Sequence, residues 1–404
     1  MILQGGPGAS SVGYGAFYES GPFNEQLQAR NVTWVDTVNM LYVDNPVGAG
    51  FSYVDDESYL TTNNSEIAAD MVALLTAFFK QHSEYSNTPF YIFCESYGGK
   101  MTTGIANALL QAISAGKLDV NFRGVALGDS WISGLDFVKA WPPLLQNVGM
   151  MDGHDVAVAM PAVNACAAAV AAGNWADATN LWGNVEDVLS KSTYDVNFYN
   201  YLQSGEFGWD DDTAGSTPMA FTAVGRTWES APLGVKPRAL ETLARRHLDV
   251  YYPQDLAGLM NGPVKTAFGS VIPAQVQWGA QSNDVFSALS TDFMRPVVTG
   301  PNSVDALLAA GLNVTVYEGM LDVICTATGA EAWMAKLTWP FMDSFNRVNK
   351  VPFFDDAAGH LAGFVKTYKN LRRVLITHAG HMVPHDHPVA AAKMVAALTE
   401  QGSW

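Results

Sequence analysis

Short β-prone runs recur along this chain, and each ends abruptly in a polar or glycine-rich turn. That rhythm restricts the possible folds more than any other feature. The runs are residues 40–43 before Asp44-Asn45-Pro46, 90–93 before Ser96, 124–127 before Gly128-Asp129, 314–317 before Gly319 and Asp322, and 374–376 before 378–387. Between the first two, residues 67–79 carry apolar side chains at helical spacing, and helix-compatible stretches cover 100–113 and 391–398. Strands alternating with helices predict a parallel sheet, and in such sheets chemistry collects beyond the carboxyl ends of the strands. The expected class is α/β with a mostly parallel central sheet.

From about residue 134 to 263 the strand rhythm stops. Alanine-rich helical segments, 162–172 and 176–189, alternate there with aromatic residues such as Trp182, Phe198, Tyr199 and Tyr201, and the polar stretch 208–217 reads as an exposed loop. The expected division is a core over 1–133, a helical cap insertion over 134–266, and the rest of the core over 267–404. A net charge of −17 argues against a nucleic-acid partner, because a phosphate backbone would be repelled, and it suits work at mildly acidic pH. No uninterrupted apolar run is long enough for a membrane span. Three cysteines cannot form a disulfide framework and leave at least one thiol free. Glycosylation acceptor tripeptides begin at Asn31, Asn63 and Asn313 and point to the secretory pathway. No signal peptide is visible. The chain opens on Met1-Ile2-Leu3-Gln4 as if inside a strand, so a truncated N-terminus is expected.

The run ending in Cys94-Glu95-Ser96-Tyr97-Gly98-Gly99 has the form of a strand delivering a nucleophile. A tight strand-to-helix turn lifts a serine hydroxyl above the sheet, where a base and a carbonyl can both reach it. Glycine usually stands two places before and after that serine. Here Cys94 takes the first place and is small enough to pack there. A nucleophilic serine needs a base and a group to orient that base, in the chain order serine, acid, histidine. Asp322 and His381 follow later strands in that order. His378, His381, His385 and His387 crowd one loop with Asp386, but without metal-ligand spacing, and no metal is expected. The opening Gln4-Gly5-Gly6-Pro7-Gly8 lets backbone N–H groups approach a developing oxyanion, jointly with the N–H of Tyr97.

Gln4 to Gly8, the run Val43 to Tyr53, Glu95 to Gly99, Asp322 to Cys325 and Gly380 to Pro384 together resemble the serine carboxypeptidases, peptidase family S10, over nearly the whole chain. Phrases such as Gly128 to Ser133 and Trp333 to Trp339 are most similar to the retinoid-inducible branch. The resemblance implies an α/β-hydrolase fold with a helical cap. It implies Ser96 as nucleophile, His381 as base, Asp322 as orienter, and oxyanion donors at Gly6 and Tyr97. It also implies that Glu19 and Glu95 share a proton and, with Gln4 and Gly5, hold the terminal carboxylate of a peptide or protein substrate. Tyr18, Ile324, Cys325 and Met382 match pocket-lining positions. The implied activity is removal of C-terminal residues through an acyl-enzyme at acidic pH, with no cofactor, in an extracellular, lysosomal or vacuolar setting. An acyltransferase, an esterase and a non-catalytic scaffold are the rival readings. Family members carry strands before the position of Gln4, so an unpaired sheet edge is expected here.

Overall fold

A computed structural model of the chain describes residues 1–203, 254–355 and 359–404. One sheet runs in the order β1-β2-β3-β4-β7-β6-β5. Its strands are β1 (Ile2–Leu3), β2 (Phe90–Glu95), β3 (Phe122–Gly128), β4 (Asn313–Gly319), β5 (Val351–Phe354), β6 (Leu361–Tyr368) and β7 (Leu371–Ile376). The stretch from β1 through β4 to β7 is parallel, as expected, and β5 and β6 add an antiparallel end. The sheet is thus mostly parallel. The strand rhythm did not disclose β5 and β6: β5 carries a proline, which counts against a strand, and no helix among the described residues separates it from β6.

The period-two alternation of the strands feeds two cores. Ile92, Cys94, Val125, Leu127, Val314 and Val316 face one side, with Ile67, Met71, Leu75, Met101 and Ile105 among the residues packed there. Phe93, Ala126, Tyr317, Val374 and Ile376 face the other, against Ala390, Met394 and Leu398. On the first side lie α1 (Asn64–Gln81) and α2 (Tyr97–Ser114). The α1 helix starts where the Asn63 side chain accepts from the N–H groups of Ser65 and Glu66, and buries Ile67, Met71, Leu75 and Phe79 at intervals of one turn. Further on come α3 (Gly134–Asn147), α4 (Gly153–Ala171), α5 (Trp175–Thr193) and α6 (Ala327–Met334), and α7 (Pro388–Leu398) covers the second side.

Two expectations are revised. Residues 40–43 form no strand: only Tyr42 pairs, through one bridge to Ile2, because β1 beside it is two residues long. That bridge, with the Ile2 N–H donating to the Leu41 carbonyl at 3.0 Å, covers the outer side of β1, so the edge is not left open. Among the described residues α4 alone is long and apolar enough to cross a membrane by length and composition, with a mean hydropathy of 1.3. Its apolarity comes largely from alanine, and it packs Ala159, Val163 and Cys166 into the core beside α3 and α5. The expected loop at 208–217 lies outside the described residues. All three cysteines are free and buried.

Candidate active site

The parallel strands carry the site to one end of the sheet. β2 delivers Ser96, which stands at φ 60°, ψ −129° immediately before α2. That left-handed region is sparsely populated for any side chain, costing roughly 1–3 kcal/mol. The turn is held in place by its surroundings. The Ser96 N–H donates to the carbonyls of Gly128 and Asp129, both at 3.1 Å, and the Ser96 carbonyl accepts from Trp131 N–H at 2.9 Å. The glycines of the motif follow from close approach. A Cβ on Gly98 would lie 2.7 Å from the Leu3 carbonyl oxygen, and one on Gly5 would lie 2.5 Å from the Ser96 Cβ. Cys94 stands buried where glycine is usual, its thiol donating to the Ala126 carbonyl at 3.4 Å.

Asp322 lies in the turn after β4, and His381 in the turn after β7. Their side chains meet in a buried bond, Nδ1 to Oδ2 at 2.8 Å. The Asp322 carboxylate also accepts the Cys325 N–H, at 3.2 and 3.3 Å to its two oxygens. A strap at residues 198–201 ties both turns together. The Tyr199 carbonyl accepts from His381 N–H at 2.7 Å, and the Phe198 carbonyl accepts from Val323 and Ile324 N–H, each at 2.9 Å. The Tyr199 ring stands edge-on to the imidazole, centroids 4.8 Å apart. His381 Nε2 has no hydrogen-bond partner among the described residues. It shares with Ser96 one cleft of about 740 Å³. Catalytic bonds of this kind are commonly long in a free enzyme and tighten with substrate.

Gln4, Gly5, Gly6, Glu95 and Tyr97 line the same cleft. As the first residue of α2, Tyr97 presents an N–H with no intrahelical acceptor. The Gly6 N–H donates to no backbone carbonyl among the described residues. The Gly6 loop is anchored from the far side: Gln281 Nε2 donates to the Pro7 carbonyl at 2.5 Å, and Ser282 N–H to the Gly8 carbonyl at 3.0 Å. Glu19 lies behind Gln4, whose Nε2 donates to Glu19 Oε1 at 2.5 Å. Burial drives the Glu19 carboxyl up to about 8, against the opposing pull of the Gln4 bond and of Arg30. Burial, and then the charge of Glu19, raise Glu95 well above the carboxylate range. No hydrogen bond joins Glu19 to Glu95 among the described residues; the two couple through space.

Ile324 and Met382 line the cleft, but Tyr18 and Cys325 are not in its wall. The Tyr18 ring stacks on His385, with centroids 4.2 Å apart and planes 10° apart, and this holds it away. The Cys325 thiol is buried beside Asp322, and desolvation raises it well above its ordinary range. The other loop histidines disperse: His385 goes to Tyr18, while His387 caps α7. Asp322, Cys325 and His381 bring ligand-type atoms within 4.8 Å of one another. The carboxylate and Nδ1 there are already bonded to each other, which leaves no open donor set for an ion. Asn31 and Asn313 are exposed, whereas Asn63 is spent as the α1 cap. The sequence reading missed Trp131, Trp182, Tyr199, Gln281 and Phe293, all of which line the cleft. Phe293 is placed by its own carbonyl, which accepts from Lys100 Nζ at 3.0 Å and Trp131 Nε1 at 2.8 Å.

Comparison with known proteins agrees with this geometry. A family model described as serine carboxypeptidase, peptidase family S10, matches residues 1–401. The retinoid-inducible serine carboxypeptidase of Mus musculus is 42% identical over 402 residues, covering 99% of this chain and 84% of that protein. Serine carboxypeptidase-like 51 of Arabidopsis thaliana is 38% identical over 403 residues, with 99% and 84% covered. Among solved structures, Kex1(Δ)p from Saccharomyces cerevisiae, a prohormone-processing carboxypeptidase, superposes with a TM-score of 0.77 at 21% identity, covering 99% of this chain and 82% of that one. That likeness establishes an α/β-hydrolase fold. With its elbow serine, buried aspartate–histidine pair and parallel sheet, the chain belongs to the serine carboxypeptidase family and is a hydrolase of that class.

Proposed function

We propose that the chain removes C-terminal residues from peptides through an acyl-enzyme formed on Ser96. The observation that carries this is the buried bond between His381 Nδ1 and Asp322 Oδ2, which leaves Nε2 without a partner among the described residues on a histidine that lines one cleft with Ser96. Bonding Nδ1 to a carboxylate leaves Nε2 as the basic nitrogen. Ser96 Oγ attacks the terminal peptide carbonyl while Nε2 takes its proton, and Asp322 stabilises the imidazolium. The N–H groups of Gly6 and Tyr97 receive the charge that develops on the carbonyl oxygen. The imidazolium then protonates the leaving amine, the C–N bond breaks, and a water molecule repeats the sequence to release the acid.

Glu19 and Glu95 supply the exopeptidase character. A buried carboxyl that stays neutral donates a hydrogen bond, and a substrate carboxylate accepts it without facing a second full charge. With the Glu19 carboxyl raised to about 8, that donor is present at acidic pH and is lost as pH rises toward 8. Gln4 and the Gly5 backbone complete the carboxylate end of the cleft. Ile324 and Met382, with Trp131, Trp182, Tyr199 and Phe293, make the remaining wall apolar and favour apolar residues beside the scissile bond. Of the expected cap insertion, 134–266, the described residues 134–203 and 254–266 act as the cover over the site, contributing Trp182 and Tyr199. Exposed Asn31 supports glycosylation and a secretory setting.

The experiment is labelling with a fluorophosphonate, followed by hydrolysis of a blocked dipeptide at pH ~5, where the paired acids stay neutral. Label on Ser96, and loss of both label and hydrolysis in Ser96→Ala, is the expected result. Hydrolysis that persists in Ser96→Ala overturns it. Cleavage of esters with no preference for a free carboxylate removes the exopeptidase assignment and leaves an esterase. Transfer to an added alcohol in preference to water favours an acyltransferase.

A further inference from the structure

Asp129 lies where three site-bearing strand ends meet. β3 ends at Gly128, which pairs with Glu95 of β2 and with Tyr317 of β4. The next residue, Asp129, stands at φ 37°, a left-handed conformation that aspartate tolerates better than most side chains. Its carbonyl accepts the Ser96 N–H at 3.1 Å, and its N–H donates to the Tyr317 carbonyl at 2.9 Å. Its side chain reaches forward, Oδ1 accepting the Gly319 N–H at 2.9 Å. Gly319 in turn accepts from the Asp322 N–H at 3.3 Å. One residue therefore connects the elbow of Ser96 to the turn of Asp322 by hydrogen bonds only.

The side chain is fully buried, and Oδ2 has no hydrogen-bond partner among the described residues. Its charged neighbours are Asp322, Glu95 and Glu318, all acidic, with the Tyr317 hydroxyl and the Cys325 thiol also close. Arg373 of β7 is spent on Glu318 and Glu331, at 3.4 and 3.3 Å. An ionised carboxylate with an orphaned oxygen among three acids is costly, whereas a neutral carboxylic acid is tolerable. Burial, followed by the charge of Asp322, displaces Asp129 well above the carboxylate range, in agreement with that geometry.

Resting on the reading of Ser96, Asp322 and His381 as the catalytic set, we infer that Asp129 is a positioning residue. As a neutral acid it pins the turn carrying Asp322 to the strand end carrying Ser96. The role needs an acceptor at Oδ1 and a neutral group, not a charge. An asparagine meets both requirements, and alanine meets neither.

The test compares Asp129→Asn and Asp129→Ala with the parent. Asp129→Ala is expected to lose roughly 10- to 100-fold in kcat with KM little changed, the scale of a sub-ångström to ångström misplacement of catalytic groups. Asp129→Asn is expected to recover that loss to within about threefold of the parent. Equal impairment in both variants overturns the inference, because it makes the charge essential. A second measurement does not depend on activity. The folded protein holds the Asp129 proton and the unfolded chain releases it near ordinary carboxylate pH, so parent stability falls as pH rises above that value. Asparagine does not titrate, so the gap in thermal midpoint between Asp129→Asn and parent should widen in favour of the variant from pH ~4 to ~8. A gap that stays flat means Asp129 is ionised in the fold, which overturns the neutral peg. If the parent itself cleaves no peptide and takes no fluorophosphonate, the catalytic reading has failed, while the thermal comparison still decides the state of Asp129.

Discussion

Replacing Ser96 by glycine should make the protein more stable while abolishing its chemistry. The residue sits at φ 60°, ψ −129°, where a Cβ is disfavoured and glycine is not. Releasing that strain is worth about 1–3 kcal/mol. Against it, glycine loses about 0.5–1 kcal/mol more conformational entropy on folding than a residue with a side chain. The net gain is therefore about 0–2.5 kcal/mol, centred just above 1 kcal/mol. Alanine is the necessary control, since Ser96→Ala removes the hydroxyl and keeps the strained Cβ. For 404 residues the unfolding entropy is large, so the gain translates into a midpoint shift of only about 1–2 °C. Parallel thermal scans of parent, Ser96→Ala and Ser96→Gly at one scan rate resolve this, with peptide hydrolysis and fluorophosphonate labelling absent from both variants. A glycine variant that melts at or below the alanine variant would refute strain at the elbow, and with it the claim that the site is held against a local cost.

Three further substitutions test the same geometry. Asp322→Asn keeps the shape of the His381 bond but favours the wrong imidazole tautomer, so kcat should fall by roughly 10⁴ with KM nearly unchanged, measured by steady-state hydrolysis. Glu19→Gln preserves the acceptor for Gln4 Nε2 and removes a group that titrates near 8, so the rise of KM toward alkaline pH in the parent should flatten in the variant. The same substitution should remove part of the parent's loss of stability between about pH 4.5 and 8, because the folded state retains that proton and the unfolded state does not. Gly98→Ala places a Cβ 2.7 Å from the Leu3 carbonyl oxygen and 3.1 Å from that of Gln4, which forces the elbow away from β1. About 1–3 kcal/mol of stability should be lost, read by denaturant unfolding, together with most of the activity.

The elements legible in the sequence were those specified by local chemistry. β2, β3, β4 and β7 announce themselves as apolar runs stopped by a polar or glycine-rich turn, and α1 by its cap and one-turn spacing. Ser96, Asp322 and His381 were readable for the same reason, because each follows a strand end in a recognisable turn. β5 and β6 were not, since an antiparallel pair at a sheet edge needs neither a continuous apolar run nor a helix between its strands. Residues 40–43 look like a strand and pair at one position only, because pairing depends on a neighbour of matching length.

The sequence alone named the side chains proposed for the chemistry and the order in which the strands bring them. Tertiary structure decided what surrounds them. It set Trp182, Gln281 and Phe293 into the cleft wall, turned Tyr18 onto His385, and buried Glu19, Glu95 and Asp129 as acids that favour a proton. These are matters of dehydration and of contact between segments far apart in the chain. A motif records neither, because a carboxyl group's charge depends on which neighbours exclude water from it.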